Sequence, residues 1–266
     1  MFSALLSWWH RRQARTYRVT PEAWAAVENR LPFLAYLPAS DRSRLRALAL
    51  EFLAAKEMAA ANGLQLTDEI RLSIALQACL PILNLGLDWY GGWVGIIVYP
   101  GDFLVPRKTM DAAGVVHEYE DVLLGEAWVG GPVIVSWEEE MRSPAVRMNV
   151  VIHEFAHKLD MLDGGVDGVP RLRPGMSRRA WIAAFEPTYR DFRAHVRRGE
   201  ATWLDPYAAE SPAEFFAVTT EAFFETPSLL KEDCPEVYGQ LSGLFALDPA
   251  AGESALLDPA EAPRAG

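Results

Sequence analysis

The chain has 266 residues and a formal net charge of −11, with 50% hydrophobic and 23% charged residues. This balance excludes a disordered chain and fits one large folded domain, or a main domain with a smaller N-terminal part. The negative charge opposes contact with a phosphate backbone, so we expect no direct nucleic-acid partner.

The thiol content and the N-terminus bear on the compartment. Two cysteines, Cys79 and Cys234, are too few and too far apart for a structural metal site, and they favour a reducing, cytoplasmic setting. The apolar run Met1–Trp9 is followed, not preceded, by arginines, unlike a secretory signal. No stretch approaches the ~18 apolar residues of a membrane span. We expect a packed terminal helix, with a short membrane- or partner-contacting helix as the alternative.

Helical patterns occupy the first third of the chain. Thr20 resembles the cap of a first helix, and a second helix is predicted from Ser40 to a terminating glycine, Gly63. Thr67 begins a third helix, in which residues 70–80 are apolar nearly all round. This third helix is therefore predicted to be buried.

The pattern changes near Trp89, where short β-branched runs begin. Gly95–Pro100 and Gly131–Trp137 are predicted strands, with a third near Tyr119–Leu124. Together they predict a small antiparallel sheet. Helical sequence returns at Val150.

The chain accordingly divides into three predicted regions. Residues 1–88 form an N-terminal helical region packed on residues 89–247, which form the main domain. Residues 248–266 are rich in alanine, proline and acids and are predicted to be a loose tail. The predicted fold class is α+β, mainly helical, with a small antiparallel or mixed sheet.

One motif carries chemistry. His153, Glu154 and His157 form an H-E-x-x-H pattern inside an apolar helical segment. Residues four apart share a helix face, so both imidazoles can bind a single ion. Zinc accepts neutral imidazole, and Glu154 can take a proton from a metal-bound water without binding the metal. An unpaired His and Glu would be costly to bury in such a helix, which favours the metal interpretation.

Two histidines leave the metal one protein ligand short. His195 lies in a strongly basic stretch that would repel a cation, and we interpret it as a surface residue. The metzincin extension is absent, because Asp160 occupies the place of its glycine. A carboxylate on a second helix is therefore expected. Glu214 and Glu221 share one face of a predicted helix capped at residue 211; Glu214 is either a ligand or an acid that favours the helix start.

Two further assignments stay open at the level of sequence. Asp160 lies on the His153 face of the helix, where it either orients a ligand imidazole or caps the structure. The strand within Gly131–Trp137 is either a sheet edge that pairs with an extended peptide or an ordinary core strand.

Several of these segments together resemble a known family. His153–Asp160, Asp163-Gly164, Tyr207 and Glu214–Ala217 resemble the Mlc titration factor A family of zinc peptidases, with zincin-like catalytic domains similar to that of anthrax lethal factor. Further matching segments are Val98–Pro100, Gly125–Trp128 and Gly131-Pro132. The resemblance implies one zinc ion per chain, with Glu214 as its third ligand. It also implies that Glu154 is the general base and that the Tyr207 phenol supports the transition state.

Three functions follow as hypotheses. The leading one is zinc-dependent hydrolysis of peptide bonds, aminopeptidase-like by the resemblance, with peptides as substrates. The second is capture of the Mlc transcriptional repressor, for which the metal site is regulatory or secondary. The third is a zinc-stabilised interaction module, which Glu154 argues against, because a purely structural site has no use for a base beside the metal.

Overall fold

The computed structural model describes residues 18–101, 103–110, 116–123, 125–137 and 149–257. Most of the described chain is helical, and the helices fall before and after a central group of strands. The α-helices are α1 Pro21–Glu28, α2 Ala39–Ala55, α3 Asp68–Cys79, α4 Val150–Asp160, α5 Arg178–Arg197, α6 Pro212–Glu225, α7 Pro227–Asp233, α8 Pro235–Phe245 and α9 Pro249–Leu257. The strands are β1 Glu57–Ala60, β2 Gly95–Tyr99, β3 Phe103–Met110, β4 Val116–Leu123, β5 Gly125–Ala127 and β6 Val133–Ser136.

The main sheet has four strands in the order β1-β2-β6-β5. The β1, β2 and β6 strands are parallel, and β5 alone is antiparallel to its neighbour β6. The expected α+β class is confirmed, and of the two sheet types left open, antiparallel or mixed, the structure shows the mixed one. The alternation of apolar and polar residues along a strand shows which face of the strand is buried. It does not show whether the neighbouring strand runs parallel or antiparallel. A separate antiparallel pair, β3 and β4, follows β2.

Strand β1 replaces the end of a predicted helix. The sequence predicted one helix from Ser40 to Gly63, whereas α2 ends at Ala55 and Glu57 pairs with Gly95 of β2. The residues of β1 favour helices intrinsically, so pairing with a distant strand outweighs local preference here.

Local signals at the other helix starts were reliable. The Thr20 hydroxyl accepts a hydrogen bond from the Ala23 amide at 3.2 Å, and the Thr67 hydroxyl accepts one from Ile70 at 3.3 Å. From Leu72 to Cys79 every residue of α3 is buried, as its apolar composition predicted.

The core lies around α4, which is buried along its whole length. On one side α4 packs on β5 and β6, and on another it packs on α6. The Phe155 ring anchors α4 among three aromatic rings, with centroid distances of 5.6 Å to Phe52, 5.1 Å to Tyr90 and 5.7 Å to Trp93. Because α4 is held on all sides, its side chains have fixed positions.

The C-terminal segment differs from the predicted loose tail. Helix α9 follows Asp248, whose carboxylate accepts hydrogen bonds from the Tyr238 hydroxyl and the Ala251 amide, and Ala250 is buried. The apolar run Met1–Trp9 and the residues after 257 lie outside the described chain. Across the part that the structure describes, no helix combines the length and apolar character needed to cross a membrane.

Candidate metal centre

Helix α4 brings the two predicted histidines together. The rings of His153 and His157, one turn apart, have centroids 4.8 Å apart, and their Nε2 atoms are separated by 3.1 Å. Both side chains are buried. The start of α4 is fixed by Asn149, whose side-chain oxygen accepts a hydrogen bond from the Ile152 amide at 3.0 Å. The sequence motif thus becomes a pair of nitrogen donors aimed at one point.

Glu214 completes the cluster from the first turn of α6. Its Oε2 atom lies 3.0 Å from His153 Nε2 and 3.2 Å from His157 Nε2. The predicted cap at Ser211 is present, because its hydroxyl accepts a hydrogen bond from the Glu214 amide at 3.1 Å. Of the two sequence alternatives for Glu214, the structure brings its carboxylate to the two imidazoles.

The donor atoms fit a small divalent ion. Ligands bound at ~2.0–2.1 Å in a tetrahedron lie about 3.3 Å from one another, and the three atoms are separated by 3.0 to 3.2 Å. His153 Nδ1 lies 2.7 Å from a carboxylate oxygen of Glu221. With the ring proton on Nδ1, Nε2 presents a lone pair toward Glu214 Oε2, and a cation between these two acceptors satisfies both.

The electrostatics of the cluster also attract positive charge. Although burial lowers the pKa of His153, hydrogen bonds to Glu214 and Glu221 raise it well above its usual value. Burial alone would raise the pKa of Glu214, but hydrogen bonds to His153 and His157 bring it down to about 2. The carboxylate therefore stays ionised beside the imidazoles, as a metal ligand must.

Glu154 lies beside the cluster under the backbone of β5. Its carboxylate is buried, and burial is the main cause that raises its pKa to about 8. A methyl group added to Gly125 of β5 would lie 2.4 Å from Glu154 Oε1. A glycine is thus required where the strand passes over the acid.

Tyr207 faces the same cavity, which has a volume of about 200 Å³ and is lined by β5, the α4 residues, Met161, Val166 and Glu214. The tyrosine ring lies 6.1 Å from the ring of His153, centroid to centroid, and 41% of the residue is exposed. Asp205 holds the short helix Pro206–Ala209 by accepting a hydrogen bond from the Tyr207 amide at 2.9 Å. All five predicted site residues therefore lie around one cavity.

The structure also shows contacts that the sequence did not predict. Glu221 is buried and accepts a hydrogen bond from His153 Nδ1 at 2.7 Å, so it fixes the orientation of that ring. Its position seven residues after Glu214 was the only available signal. Lys158 is buried too, and its ammonium donates to the backbone oxygens of Trp128 and Gly131 at 2.6 and 2.8 Å. This contact ties α4 to the turn between β5 and β6.

The structure also places Asp160, whose role the sequence left open, and His195, which was predicted to be a surface residue. Asp160 is fully buried, and its Oδ2 atom accepts a hydrogen bond from the Gly168 amide at 2.9 Å. The observed bond closes the loop after α4, and among the described residues no hydrogen bond joins Asp160 to His157. His195 lies on the exposed side of α5, 3.6 Å from the Glu200 carboxylate, as expected of a surface residue.

Strand β6 is not the sheet edge. It pairs with β2 on one side and with β5 on the other, so the proposal that an extended peptide pairs with it is wrong. Strand β5 is the edge, and it lines the cavity. Three residues are too short a strand for a pattern of alternating residues to reveal.

The site combines three features: a helix with two histidines and an acid between them, a carboxylate from a second helix, and a sheet edge beside them. Together these features define the metallopeptidase class. Comparison with known proteins agrees. Residues 6–246 match the model of a family described as glucose-regulated metallo-peptidase M90. The chain belongs to this metallopeptidase family.

Relatives match over most of their length. A Mlc titration factor A of Pectobacterium atrosepticum is 36% identical over 93% of this chain and 94% of its own. A Mlc titration factor A of Klebsiella pneumoniae is 35% identical over 83% of this chain and 84% of its own. An uncharacterized protein of Synechocystis is 36% identical over 91% of this chain and 89% of its own. The resemblance found in the sequence motifs is therefore confirmed along the whole domain.

Proposed function

We propose that the protein is a zinc-dependent peptidase in which His153, His157 and Glu214 hold the ion. The observation that carries the proposal is the convergence of three donor atoms at 3.0 to 3.2 Å from one another. Two imidazoles and one carboxylate form a ligand set that suits zinc and leaves a fourth position open. When bound, zinc polarises the substrate carbonyl and lowers the pKa of a water.

Glu154 is the proposed general base. Its carboxylate adjoins the cluster but is not one of the three converging donors. In hydrolysis Glu154 takes one proton from the attacking water, whose oxygen bonds to the carbonyl carbon. It then passes that proton to the peptide nitrogen as the C–N bond breaks, which leaves a carboxylic acid and an amine.

We propose that β5 binds the substrate and that Tyr207 stabilises the transition state. Among the described strands β5 is the outermost on the side of the cavity, and this position supports backbone pairing with an extended peptide. Tyr207 lines the same cavity as the metal ligands, which supports a role for its phenol as a hydrogen-bond donor to the oxyanion of the tetrahedral intermediate. An aminopeptidase-like preference for short peptides is part of the proposal and rests on the resemblance to the Mlc titration factor A family.

Glu154→Gln tests this mechanism directly. We expect the variant to retain one zinc per chain, because Glu154 is not a ligand, and to lose hydrolysis of chromogenic aminoacyl or peptide substrates. In Glu214→Ala, we expect zinc content to fall. Unchanged hydrolysis in Glu154→Gln refutes the mechanism, and unchanged zinc content in Glu214→Ala refutes the ligand set.

The name of the relatives supports a second candidate function, binding of Mlc. A pull-down with purified Mlc, repeated with a chain that begins at Thr20, tests it. Retention by the full chain and not by the shortened chain would assign the contact to the residues before Thr20. No retention in either case excludes this function for the protein.

Compartment and domain boundaries are proposed on separate grounds. Cys79 and Cys234 are free thiols, which supports the cytoplasm as the location. The division into residues 1–88, 89–247 and 248–266 stays a prediction. Limited proteolysis tests it, with the main fragments expected to end near residues 88 and 247.

A further inference from the structure

Asn149 lies where the metal-binding helix α4 begins, and each of its polar groups has a partner. Its side-chain oxygen accepts the Ile152 amide proton at 3.0 Å. Its side-chain nitrogen donates to Gln77 Oε1 at 2.9 Å and to Glu225 Oε1 at 2.8 Å. Its backbone amide donates to Glu221 Oε2 at 2.5 Å. A helix cap needs only the first of these four bonds.

The fourth bond leads to the metal site. Glu221 accepts from Asn149 with one oxygen and from His153 Nδ1 with the other, at 2.7 Å. A carboxylate held at one oxygen keeps its second oxygen in place, which fixes the plane of the imidazole and leaves Nε2 free for the metal. Only one residue, Glu221, therefore separates Asn149 from a ligand.

The contacts of Asn149 also join the two helices that carry the ligands. Glu221 and Glu225 are one turn apart on α6, the helix that presents Glu214. Two carboxylates at this spacing repel each other. Asn149 gives each of them an N–H donor and so holds α6 against the start of α4. Gln77 of α3 binds the same amide nitrogen, which connects the N-terminal helices to this point.

We propose that Asn149 is a positioning residue of the metal centre. Its side chain holds α6 against α4 through Glu225 and Gln77, which keeps Glu221 against His153 and so sets zinc affinity. The proposal depends on the proposed zinc site and not on peptide hydrolysis. A wild-type chain without zinc affinity would refute the site itself. The ratio of zinc affinity in an Asn149 variant to that in the wild type tests the role of Asn149.

Asn149→Asp is the principal test. Aspartate caps a helix as well as asparagine does, so the bond from Ile152 is retained. Both side-chain N–H donors are lost and a negative charge faces Glu225, while the backbone amide still donates to Glu221. We expect zinc affinity to fall by about 10-fold, the lower end of the range found when a partner of a ligand is removed, because Glu221 itself is retained. Competition with a chelator measures this change, and the absorption bands of the cobalt-substituted protein report any altered ligand geometry.

Three further variants separate positioning from folding. The double variant Asn149→Asp with Glu225→Gln restores one hydrogen bond in the opposite direction, because the new amide at 225 donates to the new carboxylate at 149. We expect the double variant to recover most of the lost zinc affinity. Asn149→Ser keeps the cap without adding charge and should weaken zinc binding in the same direction. Thr20→Ala removes a comparable cap from α1, away from the site, and should leave zinc affinity unchanged.

The outcomes are distinct. The proposal is supported if zinc binding is weaker in both Asn149 variants, is recovered when Glu225→Gln is added to Asn149→Asp, and is unchanged in Thr20→Ala. Wild-type affinity in either folded Asn149 variant overturns it. An equal loss in Thr20→Ala also overturns it, because the effect would then follow general stability. If Asn149→Asp does not fold, Asn149→Ser and the double variant decide the question.

Discussion

Gly125→Ala offers a sharp test of how β5 and Glu154 are arranged. The new methyl carbon would lie 2.4 Å from Glu154 Oε1, 2.5 Å from its Cγ and 2.7 Å from its Cδ. Ordinary contacts between such atoms are about 3.5 Å, so the carboxylate or the strand must move by about 1 Å. Glu154 is buried, and the nearest space is the cavity that it lines, so its carboxylate leaves its place beside the cluster when the contact is relieved.

The expected effect falls on catalysis more than on folding. A displacement of ~1 Å at a reacting group lowers rates by about 100-fold, which corresponds to about 2.7 kcal/mol. Overpacking of a buried site costs about 1–3 kcal/mol of unfolding free energy. We expect kcat/KM for a chromogenic peptide to fall about 100-fold while zinc content stays at one per chain, because no ligand is touched.

Gly95→Ala is the matched control. Gly95 lies on β2 of the same sheet, and its added methyl carbon would lie 3.4 Å from the Pro132 side chain, near normal contact. This variant should keep its activity within about twofold. Wild-type kcat/KM in Gly125→Ala, or an equal loss in Gly95→Ala, refutes the argument.

Three further predictions follow from other contacts. Tyr207→Phe should lower kcat by about 100-fold or more at unchanged zinc content, because one donor to the oxyanion is lost; equal kcat in steady-state assays contradicts this role. Lys158→Met should lower the unfolding free energy in urea by about 1.5–3 kcal/mol, since two backbone oxygens of the β5–β6 turn lose a charged donor; an unchanged midpoint and slope contradict it. Burial, and then the charge of Lys158, lower the pKa of Lys56 from 10.5 to about 7, partly offset by Cys79. Between pH 7 and 10.5, Lys56 is protonated in the unfolded chain and neutral in the folded chain. This residue therefore makes the free energy of unfolding rise with pH by up to about 1.4 kcal/mol per unit. The rise should be absent from Lys56→Met in urea titrations at pH 7 and 9, and parallel curves for the two proteins would refute the assignment.

Much of the fold and site could be predicted because the relevant interactions are local. The two histidines share a face because they are four residues apart on one helix. The caps at Thr20, Thr67 and Ser211 each satisfy an amide three residues along the chain. Interactions over such short distances are visible as patterns in sequence.

The sheet could not be predicted to the same extent. Glu57 pairs with Gly95, and the edge position of β5 depends on which strands pair with β6. Strand order and direction depend on how the connections between strands pass across the sheet. Local preferences at β1 even favoured the wrong element.

The sequence by itself determined which groups the site contains: two imidazoles on one helix face with a carboxylate between them. Only the tertiary structure decided how these groups are held. His153 and Glu221 are 68 residues apart, and Asn149 and Glu221 are 72 apart, yet each pair shares a hydrogen bond. Such partners carry no periodic signal, because buried packing of α4 on α6, and not spacing along the chain, brings them into contact.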